Sequence, residues 1–201
     1  MSEPYHVPEV HHAMREIANQ ILKVSNVLDG KQVDGFIQAL LRAKRVFVIG
    51  AGRSGLVAKA FAMRLMHLGM DTYVIGETIT PALREGDLFI AVSGSGETNL
   101  TVRAAEIAKK IGAKIAAITS YPNSSLGKIA DHLVILPGRV KTESTTDFVH
   151  RELAGEYASL APLGTMFEIT ALVFLDGIVA TLMTKLGKRE EDLRARHATI
   201  E

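Results

Sequence analysis

Residues 45–55, RVFVIGAGRSG, show the pattern from which the fold of this chain is predicted. A run of apolar, mostly β-branched residues ends at glycines, and apolar residues at helical spacing begin directly after them. This order is typical of a buried parallel strand, a tight turn and a helix that covers the sheet. The same order recurs at residues 88–98, LFIAVSGSGET. We therefore expect a sheet built from repeated strand–turn–helix units.

Apolar runs of strand length alternate with helical patterns through the middle of the chain. The predicted strands are 45–49, 72–75, 88–92, 114–119 and 132–136, and the predicted helices between them are 54–68, 98–111 and 124–130. This alternation predicts an α/β fold with a five-stranded parallel sheet covered on both faces. In the flavodoxin-like strand order 2-1-3-4-5, the carboxyl ends of the first and third strands flank the crevice where ligands bind.

The remaining segments flank this core. Apolar stripes at 10–27 and 33–41 predict two helices that form an N-terminal helical arm. No repeat or linker divides the chain, so we predict a single domain. Its predicted parts are N-terminal helices at 1–44, an α/β core at 45–187, and a C-terminal helix and tail at 188–201.

Two segments after the last strand differ sharply in character. Residues 165–186 form a long apolar helix that ends at Gly187. Its most apolar part, 169–183, is interrupted by Asp176 and is shorter than a membrane span, so we expect a buried helix. Residues 137–163 have weak periodicity, which fits either a functional loop or a loop that contains an irregular helix.

The composition excludes several classes of protein. The chain has 201 residues, a net charge of +1 and no cysteine. The balanced charge gives no basic field for nucleic acid, so an anion site has to arise from local geometry. The absence of cysteine excludes disulfides and thiol nucleophiles, and without a His-x-x-x-His pair we expect no metal site. With no signal-peptide pattern, we expect a cytoplasmic protein that binds neither nucleic acid nor membrane.

The loop at 50–55 matches the pattern G-x-G-x-x-G. Glycines allow the backbone to approach a phosphate, and the helix that follows offers free amides. Gly52, Arg53 and Ser54 are therefore candidate phosphate-binding residues. The same pattern occurs in dinucleotide-binding proteins, which place an acidic residue about 20 positions further on. The acid at the end of the second predicted strand, Glu77, comes later than that, so the motif alone leaves both alternatives open.

The loop at 93–98, SGSGET, strengthens the case for a phosphate site. The candidates are Ser93, Ser95, Gly96 and Thr98, because hydroxyls and exposed amides at a helix start can donate to phosphate oxygens. A dinucleotide-binding fold does not require this cluster. Ordinary capping is the alternative, since Ser and Thr are preferred at the first position of a helix and Ser95 or Thr98 could serve that purpose.

These motifs together resemble the sugar isomerase (SIS) domain family, and within it the 6-phospho-3-hexuloisomerases. The resemblance rests on residues 50–55, 76–78, 80–81, 86–87, 93–98, 161–165, 167–168 and 196–198. It implies an αβα sandwich and a homotetramer with sites near subunit interfaces. It also implies interconversion of D-arabino-hex-3-ulose 6-phosphate and D-fructose 6-phosphate, a step of the ribulose monophosphate pathway that requires no cofactor.

The resemblance also implies two catalytic residues. Moving a carbonyl to the next carbon requires removal of a proton from that next carbon, which leads to an enediol, and Glu168 is the implied base. From the residues alone, Thr165-x-x-Glu168 fits a capping box at the start of the long helix. His197, an ordinary tail residue by pattern, is implied to enter the site of an adjacent subunit and to move protons at the sugar oxygens.

Other functions use similar phosphate loops. An aldose–ketose phosphosugar isomerase on the same fold would have them, because the loops do not identify the carbonyl position. A sugar-phosphate sensor that binds without turnover would also have them, although residues 1–44 offer no clear recognition helix for DNA. A dinucleotide-dependent oxidoreductase remains a further alternative, but no distinct substrate domain follows the last strand.

Overall fold

The computed structural model describes residues 8–138 and 164–197. Its elements are α1 (Pro8–Val27), α2 (Gly30–Arg42), β1 (Val46–Gly50), α3 (Arg53–His67), β2 (Thr72–Val74), β3 (Leu88–Val92), α4 (Asn99–Ile111), β4 (Lys114–Thr119), α5 (Ser125–Ile129), β5 (His132–Ile135), α6 (Thr165–Leu186) and α7 (Glu190–Arg194). The predicted strands and helices are confirmed, with ends that differ by a few residues at most. Most of the 137–163 segment lies outside the described residues.

The sheet has the predicted order β2-β1-β3-β4-β5, and the strand pairs are parallel. The central pair, β1 and β3, is in register so that Gly50 lies opposite Val92. Both strands therefore end at the same level, and the loops that follow them start side by side. This is the switch point at which ligands bind in open α/β sheets.

Alternate residues of each strand supply two separate cores, one on each face of the sheet. In β1, Val46 and Val48 pack in the cluster that includes residues of α2, α3 and α6. Phe47 and Ile49 pack in the second cluster, with residues of α4 and α5. Because side chains alternate across a strand, this arrangement gives three layers and confirms the αβα architecture.

The N-terminal helices are packed to different degrees. Helix α2 belongs to the first core, where Phe36 and Leu40 are fully buried. Helix α1 packs against α6 and has Val24 as its buried residue. Its side chains Met14 and Leu22 are more than 60% exposed.

Helix α6 is a core helix of the fold, as predicted. By length and composition it could cross a membrane, but half of its most apolar window is buried inside the protein. Ala171, Leu175 and Leu182 are each at most 1% exposed and belong to the first core. The burial of these side chains accounts for the apolar character of the helix.

An ion pair with a buried carboxylate lies at the amino ends of the strands. Asp87, only 2% exposed, accepts hydrogen bonds from Arg45 Nε at 3.0 Å and Nη2 at 2.6 Å. It also accepts one from the backbone amide of Arg84 at 2.7 Å. The pair ties the start of β1 to the turn before β3, at the edge of the sheet away from the candidate loops.

We expect Asp87→Ala to destabilise the protein by about 3 kcal/mol, because it leaves a partly buried guanidinium without its partner. Asp87→Asn keeps one acceptor oxygen and should cost less. Urea denaturation at pH 7 measures both values. Asp34→Ala, at an exposed position of α2, is the control and should change the free energy of unfolding by less than about 0.5 kcal/mol. Equal midpoints for Asp87→Ala and the control would contradict the assigned role.

Candidate functional site

Glycines at the end of β1 allow α3 to begin directly behind the strand. A Cβ on Gly50 would lie 2.6 Å from the carbonyl atoms of Ser54, and a Cβ on Gly55 would lie 2.8 Å from the oxygen of Gly50. Gly52 differs, because its backbone is left-handed, with φ of 55°, and a Cβ there would meet open space. Gly50 and Gly55 therefore serve packing, whereas Gly52 and the exposed Arg53 border the crevice.

The two helices that follow the candidate loops begin without side-chain caps. Asp29 caps α2 and Ser124 caps α5 through their side-chain oxygens. Gly52 before α3 and Thr98 before α4 provide no such bond. The first amides of a helix need acceptors and carry the positive end of the helix dipole, so both starts suit an anion. The alternative that Ser95 or Thr98 caps α4 is therefore wrong.

The hydroxyls of the 93–98 loop bond within the loop. Ser93 Oγ, which is buried, accepts from the amide of Gly96 at 3.2 Å and lies 3.0 Å from Thr98 Oγ1. Ser95 Oγ accepts from the amide of Glu97 at 3.2 Å. Ser95 and Thr98 are half-buried, whereas Ser93 is buried.

The last residue of β4 and the segment that follows it contact this loop and restrict its shape. The patterns considered in the sequence did not predict this contact. Thr119 Oγ1 donates to the carbonyl of Gly94 at 3.1 Å. Gly96 has φ of 65°, and a Cβ there would lie 2.0 Å from Ser124 Oγ. The polar run at 119–125, directly after a buried strand, is the sequence signal that could have pointed to it. Since β3 and β4 are neighbours, polar residues after both strands meet at one edge.

Glu97 links the loop to the start of α5. Its carboxylate accepts from the backbone amide of Ser125 at 2.8 Å and from the Ser125 hydroxyl at 2.7 Å. These two hydrogen bonds, with the nearby positive charge of Lys128, lower the pKa of Glu97. The carboxylate is therefore charged throughout the neutral range.

Arg53 and Glu168 form an ion pair that joins the starts of α3 and α6. Arg53 Nε donates to Glu168 Oε2, and the two side chains are 56% and 13% exposed. Arg53 is the first residue of α3, and Glu168 lies in the first turn of α6. The structure thus brings a predicted phosphate-binding residue and the predicted base into direct contact, although they are 115 positions apart in the sequence.

The capping-box interpretation of Thr165 and Glu168 is wrong. Helix α6 begins after Gly164, which has φ of 84° and provides no side-chain cap, so Thr165 already lies inside the helix. The Glu168 carboxylate folds back over Gly164, where a Cβ would lie 3.1 Å from Glu168 Oε1. The missing side chain of Gly164 leaves room for this carboxylate beside Arg53.

His197 lies far from these residues of its own chain. Its ring packs against that of His67, with 5.0 Å between the ring centroids. His67 is the last residue of α3 and Arg53 is the first, so at 1.5 Å per residue the two ends are about 20 Å apart. The guanidinium of the preceding Arg196 lies against Gly69, where a Cβ would be 3.2 Å from its Nη2.

The structure places the residues that bear on a dinucleotide or a metal as follows. Glu77, the acid considered for a dinucleotide ribose, forms an ion pair with Lys59 Nζ at 2.6 Å. Within residues 8–138 and 164–197, no group of three or more His, Asp and Glu side chains is placed to hold a metal ion.

Comparison with known proteins identifies the family. The sequence pattern of the SIS domain matches residues 39–154. A protein named 3-hexulose-6-phosphate isomerase from Bacillus subtilis is 40% identical, and the match covers 92% of this chain and 96% of that protein. A protein of the same name from Mycobacterium gastri is also 40% identical, over 92% of this chain and 86% of its own.

A solved structure leads to the same family. The protein is from Methanococcus jannaschii, and a function as 3-hexulose-6-phosphate isomerase has been inferred for it. It superimposes with a TM-score of 0.74 and 34% sequence identity, covering 97% of this chain and all of that chain. The fold described above is therefore shared along the whole length of a relative.

We expect Gly96→Ala to weaken anion binding at the 93–98 loop, because the new methyl group would collide with Ser124 and would occupy a left-handed backbone. Titration with inorganic phosphate by calorimetry should show an affinity at least about tenfold weaker. Gly30→Ala is the control, since a Cβ at Gly30 meets nothing within 4 Å. Unchanged phosphate affinity in Gly96→Ala would show that the loop is not the anion site.

Proposed function

This chain belongs to the SIS domain family and is a phosphosugar isomerase, and we propose that it interconverts D-arabino-hex-3-ulose 6-phosphate and D-fructose 6-phosphate. The observation that carries this proposal is the position of the Glu168 carboxylate. It is paired with Arg53 at a crevice where two helices begin without caps. The names of the two 40% identical relatives support the choice of sugar.

In this proposal the loops at 50–55 and 93–98 hold the phosphate. A sugar phosphate carries a charge close to −2 at neutral pH, which suits the free amides at the starts of α3 and α4. Ser95 and Thr98 supply hydroxyl donors at the same place, and Ser93 and Gly96 shape the loop. Gly52 and Ser54 line the first turn of α3, and Arg53 adds the positive charge.

Glu168 is the proposed base of the reaction. Starting from fructose 6-phosphate, it removes the proton from C3, next to the C2 carbonyl, and the electron pair forms the 2,3-enediol. The same carboxyl group returns the proton to C2, while the hydroxyl proton moves from O3 to O2. The carbonyl is then at C3, and every proton is accounted for without a redox partner. Positioned proton transfer of this kind contributes about 10²- to 10⁴-fold to the rate.

Arg53 connects binding with catalysis in this scheme. Its guanidinium holds one oxygen of Glu168, and a lone pair used in this way is not available to take a proton from carbon. A substrate phosphate competes with Glu168 for the same guanidinium. Substrate binding would therefore draw Arg53 toward the phosphate and release the carboxylate for proton transfer.

We further propose a homo-oligomer, a tetramer by family resemblance, in which His197 acts in the site of another copy. The own-chain position of His197, at the far end of α3 from Arg53, supports this arrangement. Exposed apolar side chains supply surfaces for association, since Leu56 and Met63 of α3 and Met14 and Leu22 of α1 are 43–67% exposed. In such an assembly the tail of one chain reaches the crevice of its neighbour.

We expect wild-type protein in D₂O to place deuterium at C3 of fructose 6-phosphate and to form a second ketohexose phosphate. Glu168→Gln should slow both by at least about 10²-fold, because an amide cannot accept the proton. NMR of the sugar measures both events. Asp176→Asn is the matched control, since Asp176 lies on the same helix and also faces an arginine, Arg64, at 3.9 Å.

The carbon at which deuterium enters the sugar distinguishes the alternative functions. Deuterium at C1 instead of C3 would identify an aldose–ketose isomerase. Tight binding of fructose 6-phosphate with no exchange in the wild-type protein would identify a sensor and overturn the proposal. Full exchange in Glu168→Gln would assign the base to another residue.

Co-expression of Glu168→Gln and His197→Asn chains should restore activity that neither variant has alone. In a mixed pair with shared sites, one site combines the intact Glu168 of one chain with the intact His197 of the other. Random mixing of such pairs gives roughly a quarter of the wild-type activity. Assays of the co-purified oligomer measure the recovery, and the complete absence of recovery would place His197 outside the neighbouring site.

A further inference from the structure

We propose that Glu97 is a positioning residue, whose carboxylate clamps the 93–98 loop to the first residue of α5 so that the loop keeps its phosphate-binding shape. This inference rests on the proposed function, because it assumes that this loop receives the substrate phosphate. It assigns a separate task to a residue that neither the proton transfer nor the phosphate contacts require.

The clamp consists of two hydrogen bonds from one residue to both carboxylate oxygens. The Ser125 amide donates to Oε1 at 2.8 Å, and the Ser125 hydroxyl donates to Oε2 at 2.7 Å. Bonds of this charge-assisted kind are stronger than neutral ones and restrict the orientation of both groups. They join residues 28 positions apart in the sequence.

The clamp is not needed to cap α5. Ser124 already caps that helix, since its side chain accepts from the amide of Gly127 at 3.2 Å. Glu97 bonds to the next residue, Ser125, in addition to this cap. The contact therefore serves to hold the loop, at the point where the chain enters α4.

Other hydrogen bonds attach the loop to β4 and the segment after it, and among the described residues the last of these attachment points is Gly96. The amide of Ser120 donates to the carbonyl of Gly94, and the amide of Leu126 donates to the carbonyl of Gly96, both at 3.0 Å. Thr98 and the first amides of α4 follow Gly96, and Glu97 is the residue between them. The clamp adds a further attachment at Glu97, one residue before Thr98 and close to the uncapped start of the helix.

The charge of Glu97 makes this role distinctive. A carboxylate next to a phosphate site repels the ligand, so a residue placed there for direct binding would be neutral or positive. Both oxygens of Glu97 instead bond to Ser125, which directs their lone pairs toward α5. The conservative change to Gln can keep both contacts, with its carbonyl oxygen accepting from the amide and its NH₂ donating to the hydroxyl.

Ser125 allows an independent test from the other side of the clamp. Ser125→Pro removes both donors at once, yet proline is favoured at the first position of a helix. The preceding Ser124 has φ of −65° and ψ of 164°, which is the extended conformation that a residue before proline adopts. This variant therefore breaks the clamp while α5 keeps a favoured first residue and Glu97 keeps its charge. The proline ring takes the place of the amide hydrogen, so the Glu97 carboxylate moves away from α5.

The experiment compares Glu97→Ala, Glu97→Gln, Ser125→Pro and the wild-type protein in steady-state assays with fructose 6-phosphate, and uses inorganic phosphate as a competitive inhibitor. We expect Glu97→Ala and Ser125→Pro to raise KM and the phosphate inhibition constant by the same factor, roughly five- to twentyfold. The kcat should change by less than about threefold, because the reacting carbons are remote from the phosphate. Glu97→Gln should stay within about twofold of wild type. Glu106→Ala, at an exposed position of the same helix α4, is the matched control.

Each result supports or overturns the inference. A purely structural defect would lower the fraction of active protein and the melting temperature while KM stays constant, and that result would overturn it. Wild-type KM in Ser125→Pro would also overturn it, because both donors are then absent. If the double variant Glu97→Ala with Ser125→Pro is no weaker than either single variant, the two residues act through one contact, as proposed. Failure of the proposed function is distinguishable, since the wild-type protein itself would then show neither turnover nor inhibition by phosphate.

Discussion

The parallel pairing of β1 with β3 is the constraint on which the candidate site depends. Their register sets Gly50 opposite Val92, so two loops that are more than 40 positions apart in the sequence start at the same level. Parallel strands need long crossover connections, and here α3 follows β1 and α4 follows β3, each beginning a few residues after its strand ends. The site therefore contains two helix starts as a direct result of sheet topology.

Electrostatic attraction at this site is local. A net charge of +1 provides no long-range field, and Arg53 is the cation within the two loops. That cation contacts Glu168, so in the proposed site the amides at the starts of α3 and α4 supply most of the attraction for an anion. Backbone amides need a loop of fixed shape, and the hydroxyls of Ser93, Ser95 and Thr119 hydrogen-bond to the backbone of the loop.

The stabilising ion pair and the candidate site lie at opposite ends of the strands. At the amino ends, Arg45 and Asp87 form a buried ion pair that closes the edge. At the carboxyl ends, the ion pair of Arg53 and Glu168 is more exposed, and in the proposed mechanism Arg53 exchanges Glu168 for the substrate phosphate. A protein arranged in this way can rearrange contacts at the site while the strand pairing stays intact.

The elements and their order follow from the sequence by itself, because strands and helices are set by local periodicity. The glycine and serine loops were found in the same way, since their residue types have local roles. Three features needed the tertiary structure: the contact of Arg53 with Glu168, the clamp of Glu97 on Ser125, and the distance of His197 from its own crevice. The capping interpretations of Thr98 and Thr165 were wrong for a related reason, since a cap depends on which residue precedes the first helical turn and on where its oxygen points. These features join residues 28 to 115 positions apart, or place His197 beside the end of α3 that is far from Arg53. Such distances depend on how whole elements pack against each other, and local periodicity does not contain that information.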